Sequence, residues 1–293
     1  MVVEASPIQA IPVIEKRDNL LTVVVGRKRI GKSNETLRQL LKLAYELKIC
    51  KSLIFDINNE YGAYKLDGRE THNIKEIKEK DLIAYGAFKG FEVRRIVPKK
   101  ENGMPMTAEE IDELLCKIIV YFRGGALSIE DLSTMFGANL PIKFGGLLTN
   151  NAHRSADIFC SIQNLGRLSP MILENTNYIR LYRTQVSVTK YKTRFSEDFE
   201  ILRIAEIIIN RRYDAGDERF WLYINKDAGK IEGRFSNREL TEAIQIYLSQ
   251  NKSELGAYIN MLDGSGRKIY TYQQAIILKM RELFMKYNGN QKK

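Results

Sequence analysis

The segment from Gly26 to Ser33, GRKRIGKS, most constrains what this chain can fold into, because it matches G-x-x-x-x-G-K-[ST] at every position. Backbone N–H groups of such a loop surround a phosphate, the lysine reaches the β- and γ-phosphate oxygens, and the hydroxyl ligates Mg²⁺. The loop lies between an apolar run and a segment with leucines at helical spacing, as the motif requires. We therefore predict a nucleotide-binding loop made by Gly26, Arg27, Lys28, Arg29, Ile30, Gly31, Lys32, Ser33 and Asn34, with Mg²⁺ at Ser33.

Apolar and amphipathic segments alternate along the chain, which predicts an α/β fold with a mostly parallel sheet flanked by helices. The predicted strands are Leu20–Val25, Lys51–Asp56, Phe91–Val97, Gly124–Ile129, Ala156–Ile162 and Asn177–Tyr182. The predicted helices between them are Asn34–Lys48, a short one near Ile74–Lys80, and one from the capping box at Thr107 to Phe122.

The pattern changes after residue 184, where a helical and hairpin extension is predicted. It comprises helices at Phe195–Arg212, Ser236–Gln250 and Tyr270–Lys286 and a hairpin at Phe220–Arg234. We divide the chain into an N-terminal arm (1–19), an ATPase core (20–250) and a C-terminal helical tail (251–293).

Composition narrows the function classes. The 293 residues carry 46 Lys+Arg against 36 Asp+Glu, a net charge of +10 that suits a polyanionic partner such as nucleic acid. No apolar run approaches the roughly 20 residues that cross a bilayer, and no secretory signal is evident at the N-terminus. Three scattered cysteines and two histidines argue against a disulfide framework and a zinc site. We expect a cytoplasmic protein without a membrane span.

Two adjacent carboxylates follow a predicted strand, where a P-loop enzyme needs an acid for Mg²⁺ and a base or water-orienting group for hydrolysis. Glu130 and Asp131 end the apolar run Ala126–Ile129. The order Glu-Asp leaves their roles open. We take Glu130 as the group that holds Mg²⁺ through water and Asp131 as the candidate base. Asp56, at the end of another predicted strand, is a competing magnesium ligand.

Polar groups near the strand that ends at Gln163 form a second candidate set. A glutamine at a strand tip can sense the γ-phosphate or orient water, although an exposed amide with no such role is the alternative. Arginine fingers stabilise phosphoryl transfer when a neighbouring subunit or a loop supplies them. The candidates are Arg154, Arg167, Arg180 and Arg183.

Four segments in this order resemble the FtsK/HerA superfamily of DNA-pumping ATPases over about residues 20–185: GRKRIGKS, DINNEYG, ALSIED, and HRSADIFCSIQNLGRLSP followed by ENTNYIRLYR. The last is also similar to zonular-occludens-toxin-like phage morphogenesis proteins. The resemblance implies a RecA-like core in an oligomeric, usually hexameric, ring around double-stranded DNA. It also implies that Gln163 senses the γ-phosphate and that Arg154 acts in trans.

The chain is shorter than many members of that superfamily. Only about 19 residues precede the first predicted strand, so we expect neither an N-terminal barrel nor membrane spans. A motor reduced to this core most resembles viral genome-packaging ATPases, which suggests association with a capsid portal or vertex. Basic segments at Phe88–Lys100 and Lys190–Arg194 are candidate DNA contacts, with a solvated charged surface as the alternative for each.

We favour an ATP-driven translocase of double-stranded DNA, with ATP and Mg²⁺ as ligands. A GTPase is rejected because Asn225-Lys-Asp-Ala228 departs from N-K-x-D. A kinase would need an arginine-rich lid, for which Arg211, Arg212 and Arg219 are the candidates. The Glu130-Asp131 pair is better suited to hydrolysis, which disfavours a kinase. The remaining alternative is an ATP-dependent assembly or morphogenesis factor whose activity does not depend on DNA.

Overall fold

The computed structural model describes residues 20–65, 71–72, 74–131, 156–168 and 170–290. The strands are β1 (Leu21–Val25), β2 (Lys51–Phe55), β3 (Tyr64–Lys65), β4 (Thr71–His72), β5 (Val93–Ile96), β6 (Gly125–Ile129), β7 (Asp157–Ile162), β8 (Tyr178–Tyr182), β9 (Trp221–Asn225) and β10 (Lys230–Gly233). The α-helices are α1 (Lys32–Leu41), α2 (Leu82–Ala87), α3 (Ala108–Tyr121), α4 (Pro170–Glu174), α5 (Phe199–Asp214), α6 (Asn237–Gln250), α7 (Gly256–Ile259) and α8 (Tyr272–Tyr287).

Eight of these strands form one sheet in the order β10-β9-β8-β1-β7-β6-β2-β5, while β3 and β4 pair separately. The six strands from β8 to β5 run parallel, and β9 and β10 run antiparallel to their neighbours. The predicted fold class, a mostly parallel sheet flanked by helices, is confirmed. The predicted hairpin also exists, and it extends this same sheet beside β8.

The centre of the sheet is β1, whose five residues are all buried because parallel strands cover both of its edges and helices pack on the sheet. Val25, its last residue, is in register with Ile162 on β7 and Leu181 on β8. Ile129 ends β6 one strand further along. Residues that directly follow β1, β6, β7 and β8 therefore meet at one edge of the sheet, the carboxyl edge.

Two helices differ from their predictions. The helix after the phosphate loop is α-helical only to Leu41 and continues as a π-helical turn, Lys42–Glu46. The short helix near Ile74–Lys80 is wrong in position, because Glu76 forms a parallel bridge to Arg95 beside β5 and α2 begins only at Leu82. Burial explains this shift, since Leu82 and Tyr85 of α2 lie in the core.

The C-terminal tail helix α8 packs on the rest of the described chain. Its last residue, Tyr287, donates a hydrogen bond to Glu200 of α5, and Lys286 forms an ion pair with the same carboxylate at 3.0 Å. Asn288 then makes a bridge to Ile231 on β10. Within the described ranges, no helix combines the length and apolar character needed to cross a bilayer.

Candidate nucleotide site

The phosphate loop is fixed to both strands that flank β1. The backbone N–H of Gly26 donates to the carbonyl of Ile162 at 3.2 Å, and that of Arg27 donates to Arg183 at 3.1 Å. A Cβ at Gly26 would lie 2.6 Å from Cβ of Tyr182, so only glycine at this position permits the loop to approach β8 so closely. Ile30, 3% exposed, anchors the loop in the core.

The loop turns through two residues with left-handed backbone, Arg29 (φ 63°) and Gly31 (φ 95°). Gly31 is the N-cap of α1, and its carbonyl accepts the N–H of Glu35 at 3.0 Å. The first N–H groups of a helix lack partners within the helix and carry its partial positive charge. The loop and the start of α1 therefore form one concave set of donors suited to phosphate oxygens.

Lys32 is held over this loop by the loop's own backbone. Its Nζ donates to the carbonyls of Gly26 at 2.7 Å and Arg27 at 2.9 Å. Burial lowers the pKa of the ammonium, while the nearby charges of Asp131 and Glu130 oppose that shift. The cation therefore lies between the loop and the two carboxylates, where the phosphates of a bound nucleotide would meet it.

Glu130 follows β6 directly and is 6% exposed. One carboxylate oxygen accepts from the Ser33 hydroxyl at 3.1 Å and the other from the Ser128 hydroxyl at 2.9 Å. Burial raises the pKa of Glu130 even though both hydroxyls favour the charged form. The structure thus joins the predicted magnesium ligands Ser33 and Glu130 directly.

The side chains of Ser33 and Glu130 are of the chemical type that magnesium takes as ligands. Mg²⁺ takes hard oxygen ligands, usually one or two from the protein, with phosphate and water oxygens completing the shell. The Ser33 hydroxyl and the Glu130 carboxylate supply two such oxygens within 3.1 Å. Among the described residues, no cluster of three or more His, Cys, Asp or Glu side chains could hold a metal alone. A site here would depend on the nucleotide.

Asp131 and Gln163 come together although 32 residues separate them. Asp131 has a left-handed backbone (φ 49°), which turns the chain sharply after β6. Its Oδ1 lies 3.4 Å from Nε2 of Gln163, which directly follows β7. We call Glu130, Asp131 and Gln163 the acid side of the phosphate loop. Arg154, the predicted trans arginine, lies outside the described residues.

The competing magnesium ligand Asp56 has other partners. Its carboxylate accepts the backbone N–H groups of Glu60 at 2.8 Å and Tyr61 at 3.0 Å and pairs with Arg95 at 2.9 Å. It therefore holds the turn after β2. Glu60 lies in that turn. Partial burial and the nearby charges of Asp56 and Asp131 raise the pKa of Glu60. Sequence reasoning did not single out Glu60, although it belongs to the DINNEYG segment.

Arg180, one of the four candidate fingers, is fully buried on β8. Its guanidinium donates to the hydroxyls of Thr36 at 3.1 Å and Tyr223 at 2.9 Å, and to the side-chain carbonyl of Gln39. These contacts tie α1 to β8 and β9. Arg180 cannot reach a neighbouring subunit, so its candidacy as a finger was wrong.

A second group lies on the β8 side of the loop, where the candidate finger Arg183 and the lid candidate Arg219 join Tyr213, which sequence reasoning missed. Arg27 donates to the hydroxyl of Tyr213, and the guanidinium carbons of Arg27 and Arg183 lie 4.7 and 5.4 Å from the centre of that ring. The aliphatic part of the Arg219 side chain packs on Gly31, because a Cβ added to Gly31 would lie 3.6 Å from Cγ and Cδ of Arg219. We call Arg183, Tyr213 and Arg219 the arginine side.

A mostly parallel sheet of this order, with the phosphate loop after its central strand and carboxylates after β6, defines the class of P-loop NTPase folds. No protein-family model matches the chain. No curated protein matches it either.

Among solved structures, the genome-packaging NTPase B204 of Sulfolobus turreted icosahedral virus 2 in complex with AMP has a TM-score of 0.50 and 15% identity over 75% of this chain and 99% of that chain. The same protein in complex with AMPPCP gives 0.50 and 15% over 74% and 97%. The N-terminal domain of zonular occludens toxin from Neisseria meningitidis gives 0.32 and 12% over 58% and 79%.

B204 is a genome-packaging NTPase of a virus, the kind of protein that the sequence motifs resemble. At such low identity, the similarity to B204 shows a shared fold.

Proposed function

We propose that this chain is an ATPase that pumps double-stranded DNA, of the kind that packages a viral genome. The observation that carries the proposal is the contact of Ser33 with Glu130 at 3.1 Å, with Lys32 beside them on the phosphate loop. This contact supports a phosphate cradle and a magnesium-binding pair at one point. The fold shared with a viral genome-packaging NTPase supports the biological role.

Each side chain has a distinct task in this proposal. The loop N–H groups and Lys32 bind the β- and γ-phosphates, while Ser33 and Glu130 would hold Mg²⁺, which would neutralise charge on those phosphates. Asp131 accepts a proton from the attacking water. Gln163, 3.4 Å from Asp131, orients that water and senses the γ-phosphate. Position and electrostatics supply most of the catalysis in phosphoryl transfer.

DNA contact is assigned to Lys190–Arg194, which follows β8 at the carboxyl edge. Lys190, Lys192 and Arg194 are exposed there. Arg194 donates to the backbone carbonyls of Gly166 and Leu168. The charges of Lys190 and Lys192 are therefore the ones that can meet a phosphate backbone. The other candidate, Phe88–Lys100, contains strand β5, and its Arg94 and Arg95 pair with Glu92 and Asp56. Those two charges are already matched within the subunit. We therefore favour Lys190–Arg194.

Assembly completes the proposal. The chain forms a homo-oligomeric ring, hexameric by analogy with the superfamily that its motifs resemble, and Arg154 reaches the nucleotide of a neighbouring subunit. The ring acts in the host cytoplasm at a portal or vertex of the virion.

The test is steady-state ATP hydrolysis with and without duplex DNA of increasing length, with Lys32→Ala as the blank. Hydrolysis that rises several-fold with DNA length, and is absent from the variant, is expected. A control variant, Lys279→Ala, removes a cation paired with Glu282 on the tail helix and should keep the stimulation. A rate of ATP hydrolysis that does not change with DNA would overturn the proposed DNA motor. The remaining function would be that of an assembly or morphogenesis ATPase.

A further inference from the structure

The strand order determines which way a bound nucleotide must point. The magnesium-binding pair and Asp131 follow β6, and Gln163 follows β7, so the whole acid side lies on one flank of β1. The γ-phosphate must face that flank, because hydrolysis occurs there. The nucleoside end of the same molecule must then extend across β1 to the other flank, over β8 and β9.

The arginine side occupies that other flank. Three elements bring it together: the end of β8 with Arg183, the last turn of α5 with Tyr213, and the loop before β9 with Arg219. The N–H of Arg27 donates to the carbonyl of Arg183 at 3.1 Å, which joins this flank to the phosphate loop itself. The group therefore lies beside the loop on the side away from the acids.

Of the two arginines on the arginine side, Arg219 is the one whose charged group has no partner within the described residues. Its side chain is exposed, and its stem lies against Gly31, the N-cap of α1. A guanidinium is a planar cation that stacks on aromatic faces, as Arg27 and Arg183 already do on Tyr213. Every nucleic base offers such a face.

We propose that Arg219, with Arg183 and Tyr213, forms the subsite for the base and ribose of the nucleotide. Arg219 stacks on the base, and the Arg183–Tyr213 pair forms the wall behind it. This inference rests on the proposed function, because it requires that a nucleotide occupy the phosphate loop. Recognition by stacking selects for an aromatic base while discriminating weakly among bases.

Calorimetric binding of two probes tests the subsite: ADP, which carries a base, and inorganic pyrophosphate, which does not. The variant Arg219→Ala should weaken ADP binding by about fivefold, the size of an exposed cation–π contact, with pyrophosphate binding unchanged. Arg219→Lys should recover only part of the ADP binding, because an ammonium keeps the charge but cannot stack as a plane. Arg211→Ala, which removes an exposed arginine of α5 paired with Glu242 of α6, should bind both probes as the parent does.

The outcomes separate cleanly. Equal weakening of ADP and pyrophosphate in Arg219→Ala would make Arg219 a phosphate contact and overturn the nucleoside subsite. Unchanged ADP binding, or full recovery in Arg219→Lys, would overturn it as well. Failure of the proposed function looks different: the unaltered chain would then bind neither probe, or Lys32→Ala would bind both as well as the parent.

Discussion

The two flanks of the phosphate loop are built in different ways. On the acid side, Glu130, Asp131 and Gln163 are the residues that immediately follow buried parallel strands. On the arginine side, Tyr213 and Arg219 come from the end of a helix and the loop after it, and their partner Arg27 is 186 residues away from Tyr213 in sequence. One flank is defined by strand ends alone, whereas the other adds a helix end and a loop to the end of β8.

This difference has a chemical counterpart. On the acid side, Glu130 is only 6% exposed while Asp131 and Gln163 are half-buried, and burial raises the pKa of Glu130. The arginine side is half-buried or exposed, so water screens its charges. We therefore expect substitutions on the acid side to affect the chemical step most, and those on the arginine side to affect binding or folding.

The largest effect is expected where the two flanks meet. Lys32→Ala removes the cation that would contact the β- and γ-phosphates, and it should lower ATP hydrolysis by about a thousandfold. The measurement is steady-state phosphate release at saturating ATP. A matched control is Lys28→Ala, an exposed lysine of the same loop, which should keep most of the rate. Similar losses in both variants would mean that loop charge in general, rather than Lys32, is responsible.

The second prediction isolates the acid side. Asp131→Asn removes a candidate base and should lower kcat by about a hundredfold, with nucleotide affinity preserved. Single-turnover hydrolysis with ATP bound beforehand measures the chemical step directly. Glu60→Gln is the informative comparison, because Glu60 lies within electrostatic reach of Asp131. A larger loss of rate in Glu60→Gln than in Asp131→Asn would move the base to Glu60.

Much of the fold was accessible from the sequence, for reasons that particular residues make plain. The run Leu21–Val25 is apolar throughout because parallel neighbours cover both of its edges. The capping boxes at Thr107 and Ser236 mark true helix starts, since both side chains bond the N–H three residues on. The acid side followed from the same logic, because a residue after a parallel strand must lie at the carboxyl edge.

The remainder depended on long-range packing that no local pattern encodes. Arg180 sits in an apolar strand, and nothing in YIRLY indicates that Thr36, Gln39 and Tyr223 surround its guanidinium. Tyr213 and Arg219 belong to no motif, and their position follows only from the antiparallel pairing of β9 with β8. A candidate ligand site assembled from a helix end and a loop is visible only in three dimensions.

The third prediction tests whether two arginines near β8 differ in kind. Arg180→Ala should lower the free energy of unfolding by about 3 kcal/mol, because it leaves buried polar partners unsatisfied. Arg219→Ala, at an exposed site, should change it by less than about 0.5 kcal/mol. Urea denaturation measures both values. Equal stability of the two variants would contradict a purely structural role for Arg180.

The fourth prediction concerns the close approach of the loop to β8. Gly26→Ala introduces a Cβ 2.6 Å from that of Tyr182, and should destabilise the chain by about 1–3 kcal/mol through overpacking. Gly264→Ala is the control, because no described atom lies within 4 Å of a Cβ there. Thermal unfolding of both variants gives the comparison. A Gly26→Ala protein as stable as the control would mean that the loop can move away from β8.

The smallest effect is a pH dependence that links the acid side to stability. Burial raises the pKa of Glu130 in the folded chain above its unfolded value. The contribution of such a carboxyl group to stability is complete below the unfolded pKa, about 4.3, and is lost as the pH rises through the folded pKa. Ionisation of Glu130 therefore costs more free energy in the folded chain than in the unfolded chain.

Glu130→Gln removes this ionisable group, so the stability of the parent should fall relative to that of the variant as the pH rises from about 4 toward 7. Urea unfolding of both proteins across that range gives the comparison. A difference in stability that does not change with pH would instead mean that Ser33, Ser128 and Lys32 compensate the buried carboxylate fully. A gain in stability with a loss of hydrolysis would show that this carboxylate is kept for chemistry at a cost in folding, unlike Arg180 on the opposite flank, whose role is structural.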